Sequence, residues 1–225
     1  MDVGGTNLAA LSKVSAHGAG SVLVEDYIFT ITSEAAAYDG TGLRISPDIF
    51  APGGRCILTF RVRKTSGTLA GIGGHATAFS QAALYLDGEK RAERWTQGAP
   101  LPDDEEEHMI ELHLIFGGGA EADALYIQPN RGFADASGPY SVQIWDLQVE
   151  RGTVATDWYP APEDIQDSME LQLTNARAQI TAATDAIRQE VEATYARADD
   201  LDAAVARLNT LAEQTEDSFT WTIQQ

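Results

Sequence analysis

The 225-residue chain has a single cysteine, Cys56, so no disulfide can form within it and its stability must come from packing or assembly. Positive charge is scarce. Fifteen lysines and arginines face 34 aspartates and glutamates, for a net charge of −19. A chain of that sign does not neutralise phosphates, which argues against direct nucleic-acid binding and against adhesion to anionic membranes. There is no apolar run of about 18 residues and no signal-peptide pattern, so the expectation is a chain that neither inserts into a membrane nor enters the secretory route by itself. Motifs for catalysis are missing too. No H-E-x-x-H, C-x-x-C or G-x-S-x-G spacing occurs, and His108 and His113 fall on opposite faces of a strand pattern. No catalytic residue, metal ligand or cofactor is expected, and the chain is read as non-enzymatic.

Glycine and proline are unevenly distributed, and this divides the chain. From Ile165 onward there is no glycine, and no proline follows Pro162. Before that point, "DGTG", "APGG", "AGIGG", "FGGG" and "NRG" punctuate short alternating runs. "CILTFRVR" (56–63) puts Cys56, Leu58, Phe60 and Val62 on one face. "MIELHLIF" (109–116) does the same with Ile110, Leu112, Leu114 and Phe116. Period-two alternation means half-buried strands. Asp87-Gly88 in "ALYLDGEKRAERW" marks a hairpin turn. "YIFTIT" (27–32), "ALYIQ" (124–128) and "YSVQIWDLQVE" (140–150) add strands. The last run changes phase between Ile144 and Leu147, which predicts a bulge near Trp145. Strands without intervening helical patterns predict a mainly β fold, an antiparallel jelly-roll β-sandwich over residues 1–155. The opening "MDVGGTN" resembles the phosphate turn of sugar kinases, but no strand leads into it, and "GIGGHA" (71–76) reads as a turn.

Residues 165–225 read differently. One column at seven-residue spacing runs Leu173, Ile180, Ile187, Thr194, Leu201, Leu208, Thr215. A second, offset by four, includes Val191 and Val205. Two such columns are a heptad seam, and with no helix breaker they predict an uninterrupted coiled-coil helix about 75 Å long over six heptads. No sandwich of this size covers that length, so the expected partners are copies of the same chain. Asp164 or Asp167 is the expected cap of that helix. The abrupt ending "TWTIQQ" suits a piece of something longer.

Aromatic and basic side chains in the β region are the candidates for ligand binding: Trp95, Tyr85, Tyr126, Arg61 and Arg63. Sugar rings stack their C–H faces on such rings while neighbouring polar groups bond the hydroxyls. Core packing is the competing reading for the rings, and the preferred one for Trp145 and Trp158. A solvated sheet face is the competing reading for the arginines.

Between the two regions lies "IWDLQVERGTVATDWYPAPED" (144–164). It resembles a junction found in minor structural and tail-fibre proteins of tailed bacteriophages and prophages, where a carbohydrate-binding-module-like jelly roll passes into a coiled coil. "GGTNL" (4–8) and "DSFTWTIQQ" (217–225) resemble what flanks such modules. The resemblance implies a homotrimeric virion component, assembled in the bacterial cytoplasm with other phage tail proteins, and aiding attachment to host-surface carbohydrate. The alternative is a purely structural spacer with no glycan ligand. It also implies a rigid junction over 156–164, with Trp158 and Tyr159 pinning the chain to the sandwich through ring burial and Pro160 and Pro162 stiffening it.

Overall fold

The structure is a computed structural model that describes residues 5–35, 38–50, 53–75, 79–116, 125–133, 138–194 and 198–223. The chain forms two compact units, residues 1–164 and 165–225. The first is built from β1 (Val14–His17), β2 (Ser21–Glu25), β3 (Ile28–Ser33), β4 (Gly42–Ile45), β5 (Arg55–Gly67), β6 (Gly71–Gly73), β7 (Phe79–Leu86), β8 (Glu89–Ala92), β9 (Ala99–Pro100), β10 (His108–Phe116), β11 (Leu125–Pro129) and β12 (Tyr140–Arg151). These make two antiparallel sheets, a five-stranded one in the order β1-β4-β11-β6-β9 and a seven-stranded one in the order β2-β3-β12-β5-β10-β7-β8.

The alternation in the sequence explains how the sheets share one core. Cys56, Leu58, Phe60 and Val62 of β5 and Ile110, Leu112 and Leu114 of β10 are buried against Leu43 and Ile45 of β4 and Leu125 and Ile127 of β11. Burial pushes the Cys56 thiol up to about 12, so it stays protonated and inert at neutral pH. The Asp87-Gly88 turn joins β7 to β8 with both residues at positive φ, as a two-residue hairpin requires. The bulge in β12 lies where the phase change placed it. Trp145 pairs with Arg61 but Gln148 pairs with Thr59, so Asp146 and Leu147 together oppose Phe60. Asp146 takes a φ of 52° to accommodate the extra residue, and inward-facing parity passes from Ile144 to Leu147. The "GIGGHA" stretch differs from its reading as a turn: Gly71–Gly73 is a strand, hydrogen-bonded between β11 and β9. Phe133 and the backbone of Ala99 stand where a Cβ on Gly71 would be, so only glycine fits.

The helical unit departs from the expected single helix. It contains α1 (Pro162–Thr194), whose first three residues belong to the β unit, and α2 (Ala198–Ile223). Arg188 donates to Asn209 (2.8 Å) and Arg177 lies 3.7 Å from Glu216, so the two helices run antiparallel. Ile180, Ala183, Thr184 and Ile187 of α1 and Leu208, Leu211, Ala212 and Thr215 of α2 line one apolar groove between them. The heptad columns therefore meet each other within one chain, which satisfies much of the seam without a second copy. Leu173, Val191, Val205 and Leu208 are half-buried, while the side chain of Leu201 lies outside the described residues.

The 156–164 segment belongs to the β unit and is held mainly by side-chain-to-backbone hydrogen bonds. Asn7 of "GGTNL" is buried. It donates to the carbonyls of Leu147 (3.1 Å) and Tyr159 (3.0 Å) and accepts from Val149 (3.1 Å) and Ala9 (2.9 Å). Glu150, only 1% exposed, accepts from the amide and hydroxyl of Thr156 (2.9 and 2.6 Å). Gln148 accepts from the Tyr159 amide, and the Trp158 indole N–H donates to the Leu147 carbonyl at 3.2 Å. Asp164 lies within the first turn of α1 rather than ahead of it. Its carboxylate accepts the Leu11 amide (2.9 Å) and ties α1's first turn, which opens on Pro162, back to the N-terminal segment. Ring burial contributes less than the sequence suggested: Trp158 is half-buried, edge-on to Tyr27, and the Tyr159 ring is 69% exposed.

Asn7→Ala removes all four of these bonds and strands the Val149 amide, and is expected to lower the unfolding free energy in urea by about 3 kcal/mol. Tyr159→Ala is expected to cost less than about 0.5 kcal/mol, because only its backbone is engaged. Equal effects would contradict this account of the junction.

Candidate ligand-binding face

On β5, Phe60 and Val62 point inward, so Arg61 and Arg63 point outward from the seven-stranded sheet. The register places their neighbours. Arg63 faces Gln143 of β12, which faces Thr30 of β3. Arg61 faces Trp145 of β12 on one side and Met109 of β10 on the other. One pair further along, Glu111 of β10 faces Tyr85 of β7, and beyond it lies His113. With strands about 4.8 Å apart, Trp145 and Tyr85 stand about 15 Å from each other across the sheet. Gln148 and Glu150 share this face but are buried, because residues 156–159 hydrogen-bond across them. The open part is the Trp145–Arg63–Gln143 corner and the Tyr85–His113–Glu111 corner, with Arg61 between.

The side chains are braced against one another. The Arg63 guanidinium lies 5.7 Å from the Trp145 ring centroid and donates to Gln143 (2.7 Å). A cation over an aromatic face contributes about 0.5–1 kcal/mol at an exposed site. Arg61 is held between Asp146 (3.0 Å) and Glu107. The Tyr85 and His113 rings are 5.0 Å apart, and His113 also bonds Glu111. The arrangement offers half-buried rings with donors and acceptors around them, which suits a flat polar ligand with an apolar underside.

The five sequence candidates do not form one site. Arg61, Arg63 and Tyr85 share the face described. Tyr126 lies on the outer face of the other sheet, between His17 (4.6 Å) and His75 (6.2 Å). Trp95 is 1% exposed and donates its indole N–H to the Tyr126 carbonyl (2.7 Å), so it is a core residue with no face for a ligand. Trp145, read from the sequence as core, is half-buried with its side chain on the outer face. Its signal was present: Val142 and Ile144 are buried, so their odd-numbered neighbours before the bulge must point outward.

The acidic run 103–107 borders this face, and three of its five carboxylates are engaged by cations. Asp103 pairs with Lys64, Glu107 with Arg61, and Asp104 with His108 (3.1 Å). Among the described residues no group of three or more metal-binding side chains gathers. His108 also contacts Asp87 at 2.9 Å. Burial of its ring favours the neutral form, but the hydrogen bonds and charges of Asp87 and Asp104 outweigh that and raise its pKa. Asp87 is lowered: burial acts against the shift, and the Met109 amide and His108 override it.

Because the folded state raises the His108 pKa, its contribution to stability is complete below about pH 6.5 and disappears as pH rises through the higher folded value. Wild-type protein is therefore expected to lose up to about 1 kcal/mol more between pH 6 and pH 9 than His108→Gln, the small size reflecting solvent screening. Parallel pH profiles for the two proteins would contradict the assignment.

No protein-family model matches the sequence, and no curated protein matches it. Among solved structures, the tripod from the baseplate of bacteriophage Tuc2009 is similar with a TM-score of 0.42 and 16% identity, over 71% of this chain and 59% of that one. The chain thus spans less than two thirds of the tripod protein. A family 29 carbohydrate-binding module from Piromyces equi is similar with a TM-score of 0.35 and 10% identity, over 66% of this chain and 86% of the module. The second N-terminal cellulose-binding domain of Cellulomonas fimi β-1,4-glucanase C gives a TM-score of 0.35 and 18% identity, over 67% of this chain and 92% of the domain.

Proposed function

We propose that this chain is a non-enzymatic structural module of a bacteriophage tail or tail fibre, a jelly-roll sandwich that attaches to host-surface glycans and is multiplied by self-association of its helical segment. The observation that carries the glycan half is the outward-facing Trp145 with Arg63 over its ring, in one field with Arg61 and Tyr85. A half-buried tryptophan on a sheet face keeps part of its ring open and is well suited to stacking on a sugar ring. The junction resemblance supports the virion setting, in which other tail proteins are partners and assembly takes place in the bacterial cytoplasm.

The assembly half rests on the heptad columns. The spacing Ile187, Thr194, Leu201, Leu208 keeps its seven-residue period from α1 into α2, and "TYARA" between them contains neither glycine nor proline. Turns between paired helices ordinarily use such breakers. Within one chain the helix pair leaves Ile187 45% and Leu211 59% exposed. In a parallel coiled coil of several copies the hairpin would open, α1 and α2 would continue as one helix, and the columns, Ile187 among them, would pair between chains. Weak single-site sugar contacts then gain from high effective concentration.

The test is retention of the 225-residue protein on a glycan array and on bacterial cell walls. Wild-type protein is expected to be retained, and Trp145→Ala to lose at least tenfold in retention while remaining folded by circular dichroism. No retention of wild-type protein on any surface would overturn the glycan reading and leave a spacer that contacts only other virion proteins.

A further inference from the structure

The two sheets end in four edge strands, β1, β9, β2 and β8, and three of these are blunted. β8 carries Lys90 and Arg91, β9 is two residues long and ends on Pro100, and β1 turns Ser15 and His17 outward. Basic side chains, proline and shortness are the usual means of keeping an edge from pairing with another chain. β2 has no basic residue and no proline. It reads Ser21-Val22-Leu23-Val24-Glu25, with β3 on one side and, among the described residues, no strand on the other.

This edge is apolar on both faces of the sheet. Leu23 is 56% and Val24 44% exposed, whereas most large apolar side chains of the β unit are buried in its core. The register separates the two. Val22 and Val24 stand opposite Ile31 and Phe29, whose side chains point inward, and Leu23 stands opposite Thr30 and points outward. A strand added beyond β2 would cover Val24 on the inner side and Leu23 on the outer side at once. The hairpin also fixes which backbone groups are on offer. Asp26 and Tyr27, at φ 46° and 66°, form the two-residue turn that closes Glu25 against Ile28. Such a turn closes on a hydrogen-bonded pair, and bonded and non-bonded pairs alternate from there. Leu23 therefore directs its N–H and C=O to β3, and Val22 and Val24 direct theirs to the free edge.

We propose that the strand completing this edge is β2 of a second copy, paired antiparallel about a twofold axis at Leu23. Val22-Leu23-Val24 reads the same in both directions, so the strand is its own complement. Leu23 meets the second copy's Leu23, Val22 meets Val24, and Ser21 meets Glu25, which keeps the two acids apart. Each Val22–Val24 pair exchanges two main-chain hydrogen bonds, and the leucines form the close non-hydrogen-bonded pair at the axis. The same patch serves both partners, so the contact is isologous and closes at two copies. Three apolar residues a side fall well below the ~800 Å² per partner of a standard interface, so the contact is weak and joins copies already held near one another. A twofold contact does not close within a threefold assembly, so in a trimeric tail module it links neighbouring trimers. It depends neither on glycan binding nor on how the helical columns pair.

The experiment places a cysteine on β2 of the 225-residue protein and oxidises it with copper–phenanthroline; Cys56 is buried and does not compete. In this register the two Leu23 Cα atoms stand about 4.5 Å apart, within reach of a disulfide, and the two Ser21 Cα atoms about 14 Å apart, beyond it. Leu23→Cys is expected to form covalent dimers at least about tenfold faster than Ser21→Cys, although both positions are exposed. Light scattering of the wild-type protein is expected to show a mass that rises above its dilute value at high concentration, and Leu23→Lys, folded by circular dichroism, to stay at the dilute value. Equal cross-linking at the two positions would overturn the proposal and leave the edge to a strand of another protein. A rise in mass that Leu23→Lys retains would assign the association to the helices and overturn it as well, as would a wild-type mass that is constant with concentration. Glycan retention decides none of these outcomes.

Discussion

The network centred on Asn7 and Glu150 is the constraint on which the rest of the β unit depends. Each is a buried polar group whose cost is offset by hydrogen bonding, Asn7 to four backbone groups and Glu150 to the amide and hydroxyl of Thr156. Through Asn7 the N-terminal segment is fixed to β12. Through Glu150 and Gln148 the segment 156–159 is fixed across the outer face of the same strand. Asp164 then closes the ring by taking the Leu11 amide. The residues of "GGTNL" and "ATDWYPAPED" that look unrelated in sequence are thus one structural device.

That device also decides which surface is free. By lying over Gln148 and Glu150, the returning segment covers one end of the seven-stranded sheet and leaves Trp145, Arg63, Arg61 and Tyr85 open. The β-bulge acts in the same direction. It lets Leu147 and Val149 enter the core while Trp145, two residues before Leu147, stays outside. The burial of Leu147 and Val149 and the outward placement of Trp145 thus come from one strand, β12.

Much of this was legible in the sequence, for physical reasons that can be named. Period-two burial is a strong constraint, so β5 and β10 could be read residue by residue, and Asp87-Gly88 announces a turn because few other residues tolerate its φ angles. The strand Gly71–Gly73 was not legible, since glycines carry no side-chain alternation and their reason for being there is the Phe133 ring across the chain. Trp95 and Tyr159 exchanged roles with expectation. A ring's burial depends on the neighbouring loop, and the alternation around Trp95 is broken by a short 3-10 turn at Trp95–Gln97. The heptad seam was real as a pattern, but a seven-residue period specifies that two apolar columns will meet without specifying whether the partner is another chain or the next helix.

Multivalent display needs the columns to pair between copies. The deciding measurement is the absolute mass of the 225-residue protein by light scattering after size exclusion, over a hundredfold range of concentration. A mass near three times 24.2 kDa that persists on dilution is the predicted result. A mass of 24.2 kDa at every concentration would mean that α1 and α2 satisfy each other within one chain, and would contradict the multivalent tail module.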